Sequence, residues 1–346
     1  MTNSVPHARL RVANIADFPS QWRWVLDRSP IAERIDPTFL STAEAPALLA
    51  RIPGGKSLRR SWVATSLALS ARRRPFDVVV SHSPIVTART SEMLEVTGLR
   101  TRHLAFSFNF TDLPGGWRRA VFARAFRRVD HIVVFTHAEA ELYSRYFDVP
   151  EHKFLRTPWG VQKPATKDMP RVLEAPYFAA LGGEARDYET LCAAARLRPH
   201  VQFVVIARPW NFDGVEVPSN VHTFFNLPSE EAWAIVQHSL AAIVPLRSRE
   251  TPCGLVTVVG GMHHGKAQIV TEAAGVSEYI EHGQRGLTVT PNDPAALAAA
   301  IDRLAESPEL VEYLGRNARR YAEEHCSETQ TIEFVSRLLL DAPRRT

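Results

Sequence analysis

Cysteine is scarce in this chain: Cys192, Cys253 and Cys326 are its only three, at spacings that fit neither a disulfide framework nor a zinc site. No apolar run approaches the roughly 20 residues that a membrane-spanning helix needs. The opening stretch MTNSVPHARLRVANIADF has no apolar segment long enough for a signal peptide. These absences point to the cytoplasm, at most with peripheral attachment to the inner face of a membrane. No G-x-G-x-x-G follows the first strand-like run, which argues against a dinucleotide oxidoreductase. No nucleic-acid-binding module is present, so arginine content alone does not make nucleic acid a partner. Short repeats and low-complexity segments are also missing.

What is present is enough for two cores. At 346 residues the chain exceeds the size at which one hydrophobic core keeps growing, and 45% of it is hydrophobic. Residues 1–150 hold 21 Lys and Arg against 13 Asp and Glu, a net +8, while the rest hold 20 against 24, a net −4. The basic field therefore belongs to the first half, where it favours anionic lipid, nucleic acid or phosphorylated substrates. Strand-like runs (ARLRVANI, PFDVVVSHSP, TRHLAFSFNF, HIVVFT) alternate there with helical stretches such as Lys56–Arg73 and Gly116–Val129, the signature of βαβ units and a parallel sheet. Thr136 and Glu139 form a predicted capping box. Pro158, Gly160, Pro164 and Pro170 interrupt the pattern, and a second alternation follows from APYFAALGG to GLTVT. The expected organisation is a first domain over 1–160, a linker over 161–172, a second domain over 173–320, and a closing helix over 321–346 that crosses back to the first domain.

The densest cluster of chemistry-bearing features runs from Thr251 to Pro294. Gly254-Leu255 opens a predicted helix that ends in Met262, Gly265 and Lys266; Gly275 precedes a predicted helix, Val276–Glu281, that carries Glu278; Gly283 and Gly286-Leu287 form a turn; and Asp293-Pro294 caps another helix. A helix that begins after a glycine-containing loop presents free N–H groups and a positive dipole end to a diphosphate. A glycine serving only the turn is the plainer alternative. Together the four features resemble the C-terminal domain of retaining GT-B glycosyltransferases of the group 1 class.

That resemblance implies an α/β protein of two Rossmann-like domains facing each other across a cleft. It implies a nucleoside diphosphate sugar as donor substrate, with neither cofactor nor metal, and a saccharide or lipid-linked saccharide as acceptor. On the donor side it points to Gly182, Gly183, Arg208, Glu250, Cys253, Gly254, Leu255, Val256 and Thr257. Arg186, in FAALGGEARDYETL, falls on the family's lysine position, where it would neutralise the leaving diphosphate. An ion pair with Asp187, Glu184 or Glu189 is its alternative. Glu278 is expected to contact the sugar. Two departures stand out. Gly183 sits where the family commonly has arginine, with Arg208 or Arg249 as substitutes, and Gly260 sits where it has a ribose-binding glutamate, with Pro252 at the partner position eight residues earlier.

In the first half, His82, Ser83, Ser107 and Asn109 end two strands, where open parallel sheets bind ligands. His82 is expected as a catalytic contact and the other three as acceptor contacts; strand capping by His82 and a turn at Asn109 are the structural alternatives. Two basic amphipathic stretches, around Lys56–Arg74 and Trp117–Arg128, suit either an anionic membrane surface or a core-facing stripe with a solvated rim. The adjacent His263 and His264 lack a third ligand at helical spacing and make no zinc site. The reading is therefore sugar transfer with retention. The rivals are a non-catalytic GT-B subunit that supports a partner glycosyltransferase, for which Gly183 and Gly260 speak, and a sugar-nucleotide epimerase.

Overall fold

The computed structural model describes residues 9–18, 23–247, 249–251 and 253–341. The chain divides into two units, the first comprising 1–157 and 331–346 and the second 158–330.

The first unit is built on six parallel strands, β1 (Leu10–Ala16), β2 (Ile35–Ser41), β3 (Val78–His82), β4 (Arg102–Phe106), β5 (His131–Val134) and β6 (Phe154–Arg156), in the order β2-β1-β3-β4-β5-β6. Strands β2 and β6 have no counterpart in the predicted pattern. Pro37 lies inside β2, which an edge strand tolerates because one side of its ladder is open. Its helices are the short α1 (Trp24–Asp27), α2 (Gly55–Arg73), α3 (Pro84–Thr97), α4 (Gly116–Phe126) and α5 (His137–Phe147). The Thr136 hydroxyl accepts from Glu139 N at 3.0 Å and the Glu139 carboxylate accepts from Thr136 N at 3.1 Å, which completes the capping box at the start of α5. An aromatic cluster of Phe108, Phe110, Phe126, Tyr143 and Phe147 holds α4 and α5 to the sheet, and the Tyr143 hydroxyl accepts from Phe110 N at 3.1 Å.

The second unit repeats the plan with β7 (Tyr177–Leu181), α6 (Tyr188–Arg196), β8 (Gln202–Ala207), β9 (Val221–Phe225), α7 (Ser229–His238), β10 (Ala241–Val244), α8 (Leu255–His263), β11 (Gln268–Thr271), β12 (Leu287–Val289), α9 (Pro294–Ala305) and α10 (Pro308–His325). Its sheet runs β12-β11-β10-β7-β8-β9, again parallel. Strand order reverses between β7 and β10, and in the first sheet between β1 and β3; such switch points leave a crevice beyond the carboxyl ends of the strands.

Three expectations shift. Residues 161–172 run along the second unit rather than bridging free space. Val161 pairs with Ser327, Lys167 bonds Glu231 at 2.8 Å, and Met169 and Val172 pack on the β7 face of the core. The stretch over 321–346 is not one helix, because α10 stops at His325 and a new helix, α11 (Glu328–Leu340), begins after a break at Cys326 and Ser327. From Thr331 onward α11 belongs to the first unit: Ser336 bonds Ser29 at 2.7 Å and Leu338 O accepts from Arg102 at 2.6 Å. The helix expected at Val276–Glu281 is a single 3₁₀ turn, Val276–Glu278.

Helix α10 crosses the end of α8 at a glycine pair. A Cβ on Gly315 would stand 2.2 Å from the Gly265 carbonyl oxygen, a backbone atom that has no room to retreat. Gly315→Ala is therefore expected to destabilise the second unit by about 2 kcal/mol, as overpacking does. Urea denaturation of the variant measures this, and an unchanged midpoint would contradict the close approach.

Candidate functional site

The reversal between β7 and β10 is stitched by backbone. Asp187 N donates to Pro245 O at 3.0 Å, Arg247 N donates to Ala185 O at 3.1 Å, and Arg186 bridges Leu246. This binds the loop that follows β7 to the segment that leaves β10. Asp187 then caps α6, its carboxylate accepting from Thr190 N at 2.9 Å. The helix-cap role uses the carboxylate that could otherwise have paired with Arg186.

Arg186 is only 7% exposed and has no carboxylate partner among the described residues. Its Nε donates to Leu181 O at 3.2 Å, Nη1 to Glu184 O at 2.9 Å and Nη2 to the Thr257 hydroxyl at 2.8 Å. Burial lowers its pKa from the ordinary guanidinium value, yet an arginine stays protonated in a protein. Carbonyl and hydroxyl oxygens satisfy its N–H groups without cancelling its charge. The guanidinium fits because Gly182 has no side chain: a Cβ there would lie 2.5 Å from Nη2. A Cβ on Gly254 would instead crowd Leu246 and Val244, at 3.1 and 3.2 Å. Gly254 also takes φ +87°, as the left-handed cap that turns the chain into α8. The amides of Gly254, Leu255 and Val256 have no acceptor among the described residues, so free N–H groups and the helix dipole meet Arg186 at one point. Such an arrangement is chemically suited to a dianion.

The remaining donor-side candidates divide. Arg208 passes directly over Gly183, where a Cβ would be 2.6 Å from its Cγ, and Asn211 Nδ2 donates to Gly183 O at 2.7 Å. The Arg208 guanidinium is exposed and donates to Asn226 Oδ1 at 2.7 Å. Arg249 faces Glu272 across 3.8 Å on the wall of a cavity of about 500 Å³ that Ala274, Ser277 and Thr288 also line. Cys253 is buried and its Sγ lies 3.5 Å from the Thr251 hydroxyl. Glu250 is exposed, and Pro252 lies outside the described residues. Glu278 is half-buried on its 3₁₀ turn, with its carbonyl accepting from the Tyr321 hydroxyl at 2.9 Å. Asn211 and Asn226 escaped the sequence reading, since nothing in their local pattern distinguishes them from turn residues.

Gly260 has a steric cause. A Cβ there would fall 2.2 Å from Cη2 of Trp233, which reaches across from α7 and also stacks on His264 with centroids 5.3 Å apart. The indole occupies the space that a side chain at this position would need. His263, next to it, bonds Cys326 O at 3.1 Å.

In the first unit, the switch point between β1 and β3 brings Asn14 to His82, with Oδ1 to Nε2 at 2.6 Å. The ring is 2% exposed and edge-on to Phe18 and Phe106, and burial pushes its pKa down to about 3, so it is neutral at physiological pH. It orders the strand ends from within, whereas Ser83, Ser107 and Asn109 stand further out. Register places His82 opposite Phe106, so Ser83 and Ser107 leave adjacent strands side by side. Both have positive φ, +73° and +53°, and neither hydroxyl has a partner among the described residues. A cavity of about 730 Å³ lined by Asp77, Arg102, His103, Asp130 and His131 lies at the amino ends of these strands. Ligands of open parallel sheets bind at the other end, so the switch points, marked by Arg186 in the second unit and by the paired serines in the first, locate the candidate residues of each unit better than cavity size does.

Two variants check these contacts. Gly260→Glu is expected to cost about 2 kcal/mol of stability through its clash with Trp233, and less than that when introduced into Trp233→Ala; additivity of the two changes would show that they do not touch. Ser83→Gly relieves a backbone conformation worth about 1–3 kcal/mol of strain, partly offset by the entropy that glycine gains in the unfolded chain. A rise in urea midpoint equivalent to about 1 kcal/mol is the expected result, and a fall would show that the strain is absent.

Known proteins share the fold described above. Residues 213–321 match the family model of glycosyl transferases group 1. Over 100 residues, 29% of the chain, the sequence is 37% identical to the D-rhamnosyltransferase WbpZ of Pseudomonas aeruginosa, and over 156 residues, 44% of the chain, it is 28% identical to an uncharacterized glycosyltransferase of Methanocaldococcus jannaschii. The matched parts are 26% and 34% of those two proteins. Among solved structures, sucrose-phosphate synthase from Thermosynechococcus elongatus superposes with a TM-score of 0.76 at 16% identity, covering 97% of this chain and 100% of that one. HepE of Anabaena in complex with UDP and glucose gives 0.71 at 11% identity, covering 96% and 100%. The chain has the two-domain GT-B fold, and residues 213–321 of its second unit are similar to the glycosyl transferases group 1 family.

Proposed function

We propose that this protein is a glycosyltransferase that moves a sugar from a nucleoside diphosphate sugar to a saccharide or lipid-linked saccharide, with retention of configuration. The observation that carries this reading is Arg186, a buried cation at the start of α8 that has no carboxylate partner among the described residues. As the bond from the sugar to the diphosphate breaks, negative charge builds on the leaving phosphate. A guanidinium already held by Leu181 O, Glu184 O and Thr257 stabilises that charge without reorganising. The amides of Gly254, Leu255 and Val256 share it. Arginine takes the place a divalent metal would otherwise fill, so no metal enters this reading. The neighbour HepE was solved with UDP and glucose and with UDP-glucose, which supports a nucleotide-linked donor. In this reading Glu278 faces the sugar, Arg208 and Glu250 recognise the nucleotide, and Ser83, Ser107 and Asn109 receive the acceptor. A lipid-linked acceptor would place the reaction at the inner face of a membrane.

One observation favours a second reading, a GT-B subunit that supports an active glycosyltransferase without turning over itself. Trp233 fills the place beside Gly260 where the resemblance puts a ribose-binding glutamate. Calorimetry with UDP- and GDP-sugars separates the two, because a supporting subunit gives no binding heat at millimolar nucleotide. If donor binds, Arg186→Ala is expected to lower kcat about 10²- to 10³-fold, the effect of removing one transition-state donor, while chelation with EDTA leaves wild-type turnover intact. Wild-type kcat in Arg186→Ala would remove this residue from the mechanism.

A further inference from the structure

Resting on the reading that Glu278 faces the donor sugar, we infer that Tyr321 is a positioning residue: it fixes the turn that carries Glu278 and refers that turn to α8. A 3₁₀ turn as short as Val276–Glu278 leaves its last carbonyls without intrahelical partners. Side chains take them up from behind. The Tyr321 hydroxyl donates to Glu278 O at 2.9 Å and Arg285 Nε donates to Tyr279 O at 2.8 Å. The two donors also hold each other, with the Arg285 guanidinium 4.2 Å from the centre of the Tyr321 ring. The Tyr279 side chain is anchored as well, since its hydroxyl accepts from Trp159 N at 2.8 Å.

Core packing does not account for Tyr321. The tyrosines that serve the core of this unit, Tyr177, Tyr188 and Tyr279, are 1% exposed. Tyr321 is half-buried instead, on the wall of a polar cavity of about 330 Å³, against Arg285 and His325. What its place does achieve is a fixed distance. Helix α10 is locked to α8 where Gly315 meets the Gly265 carbonyl, with Leu314, Ala318 and Ala322 fully buried. Tyr321 stands six residues, about 9 Å, further along the same helix. The start of α8 supplies the amides and the Thr257 hydroxyl that meet Arg186. Helix α8 therefore sets where the leaving phosphate sits, and α10, locked to it, sets where the Glu278 backbone sits. A glutamate on a single 3₁₀ turn has little else to hold it, and a misplacement of about 1 Å at a reacting centre can cost about 10²-fold in rate.

Tyr321→Phe keeps the ring under Arg285 and removes only the donor to Glu278 O. Hydrogen exchange of the full chain, read by mass spectrometry, should show the Tyr279 and Ile280 amides, both held by Val276 O, exchanging about tenfold faster while α8 is unchanged. Kinetics with UDP-glucose and GDP-glucose as donors should show kcat about tenfold lower and the donor KM within about twofold of wild type, the split expected when an interaction made in the transition state is lost. Glu278→Gln should lower kcat further still, and Tyr321→Phe added to it should cause no additional loss, because the tyrosine acts through that residue. Unchanged exchange in Tyr321→Phe, or an additional loss in the double variant, would overturn the inference. So would wild-type kcat in Tyr321→Phe where Glu278→Gln is impaired. Wild-type kcat in Glu278→Gln would instead sink the sugar contact itself, and the positioning role with it. Exchange needs no donor, so it decides by itself whether Tyr321 holds the turn.

Discussion

The second unit is organised around one uncompensated charge. Removing a guanidinium from water is costly unless its N–H groups are satisfied, and Arg186 is satisfied by two carbonyls and a hydroxyl that leave its charge intact. Each of these acceptors has a reason to be where it is. Leu181 ends β7, Glu184 lies in the loop tied to β10, and Thr257 sits in the first turn of α8. Gly182 clears the space, and Asp187 is kept away by its work as a cap. A strand reversal, one bare backbone position and one helix start thus converge on a single positive point.

The two units handle their carboxyl strand ends differently. In the second, the site is electrostatic and mostly backbone. In the first, a closed pair, Asn14 and His82, lies beneath two serines in unfavourable backbone conformations with unused hydroxyls. Conformational strain of this kind persists only where the surroundings over-determine it. The aromatic cluster under α4 and α5 supplies such surroundings, since Phe108 follows Ser107 directly and is fully buried in it.

Much of this was legible in residue order. Alternating apolar runs marked the second sheet and four strands of the first, Thr136 and Glu139 marked the start of α5, and the glycine spacing after Thr251 located α8 and the turns beyond it. These features are local, so their information lies within a few residues. What escaped was set by distant partners. Trp233 and Gly260 meet from separate helices, and only the missing glutamate hinted that something else occupied that space. The enclosure of His82 depends on Asn14 and Phe106 from neighbouring strands. The attachment of 161–172 to the second unit depends on Glu231 and Ser327, far along the chain. Strand β2 was hidden because proline within a run reads as a breaker unless the edge position is known.

The return of α11 to the first unit orders events during synthesis. Domains generally fold as units while the chain emerges, and residues 158–330 form a contiguous unit that can close as soon as it is made. The first unit cannot: Ser29 and Arg102 wait for Ser336 and Leu338, more than two hundred residues later. The half of the molecule translated first is therefore the half completed last, and a ribosome that stops before Thr331 would release a finished second unit joined to an unfinished first one.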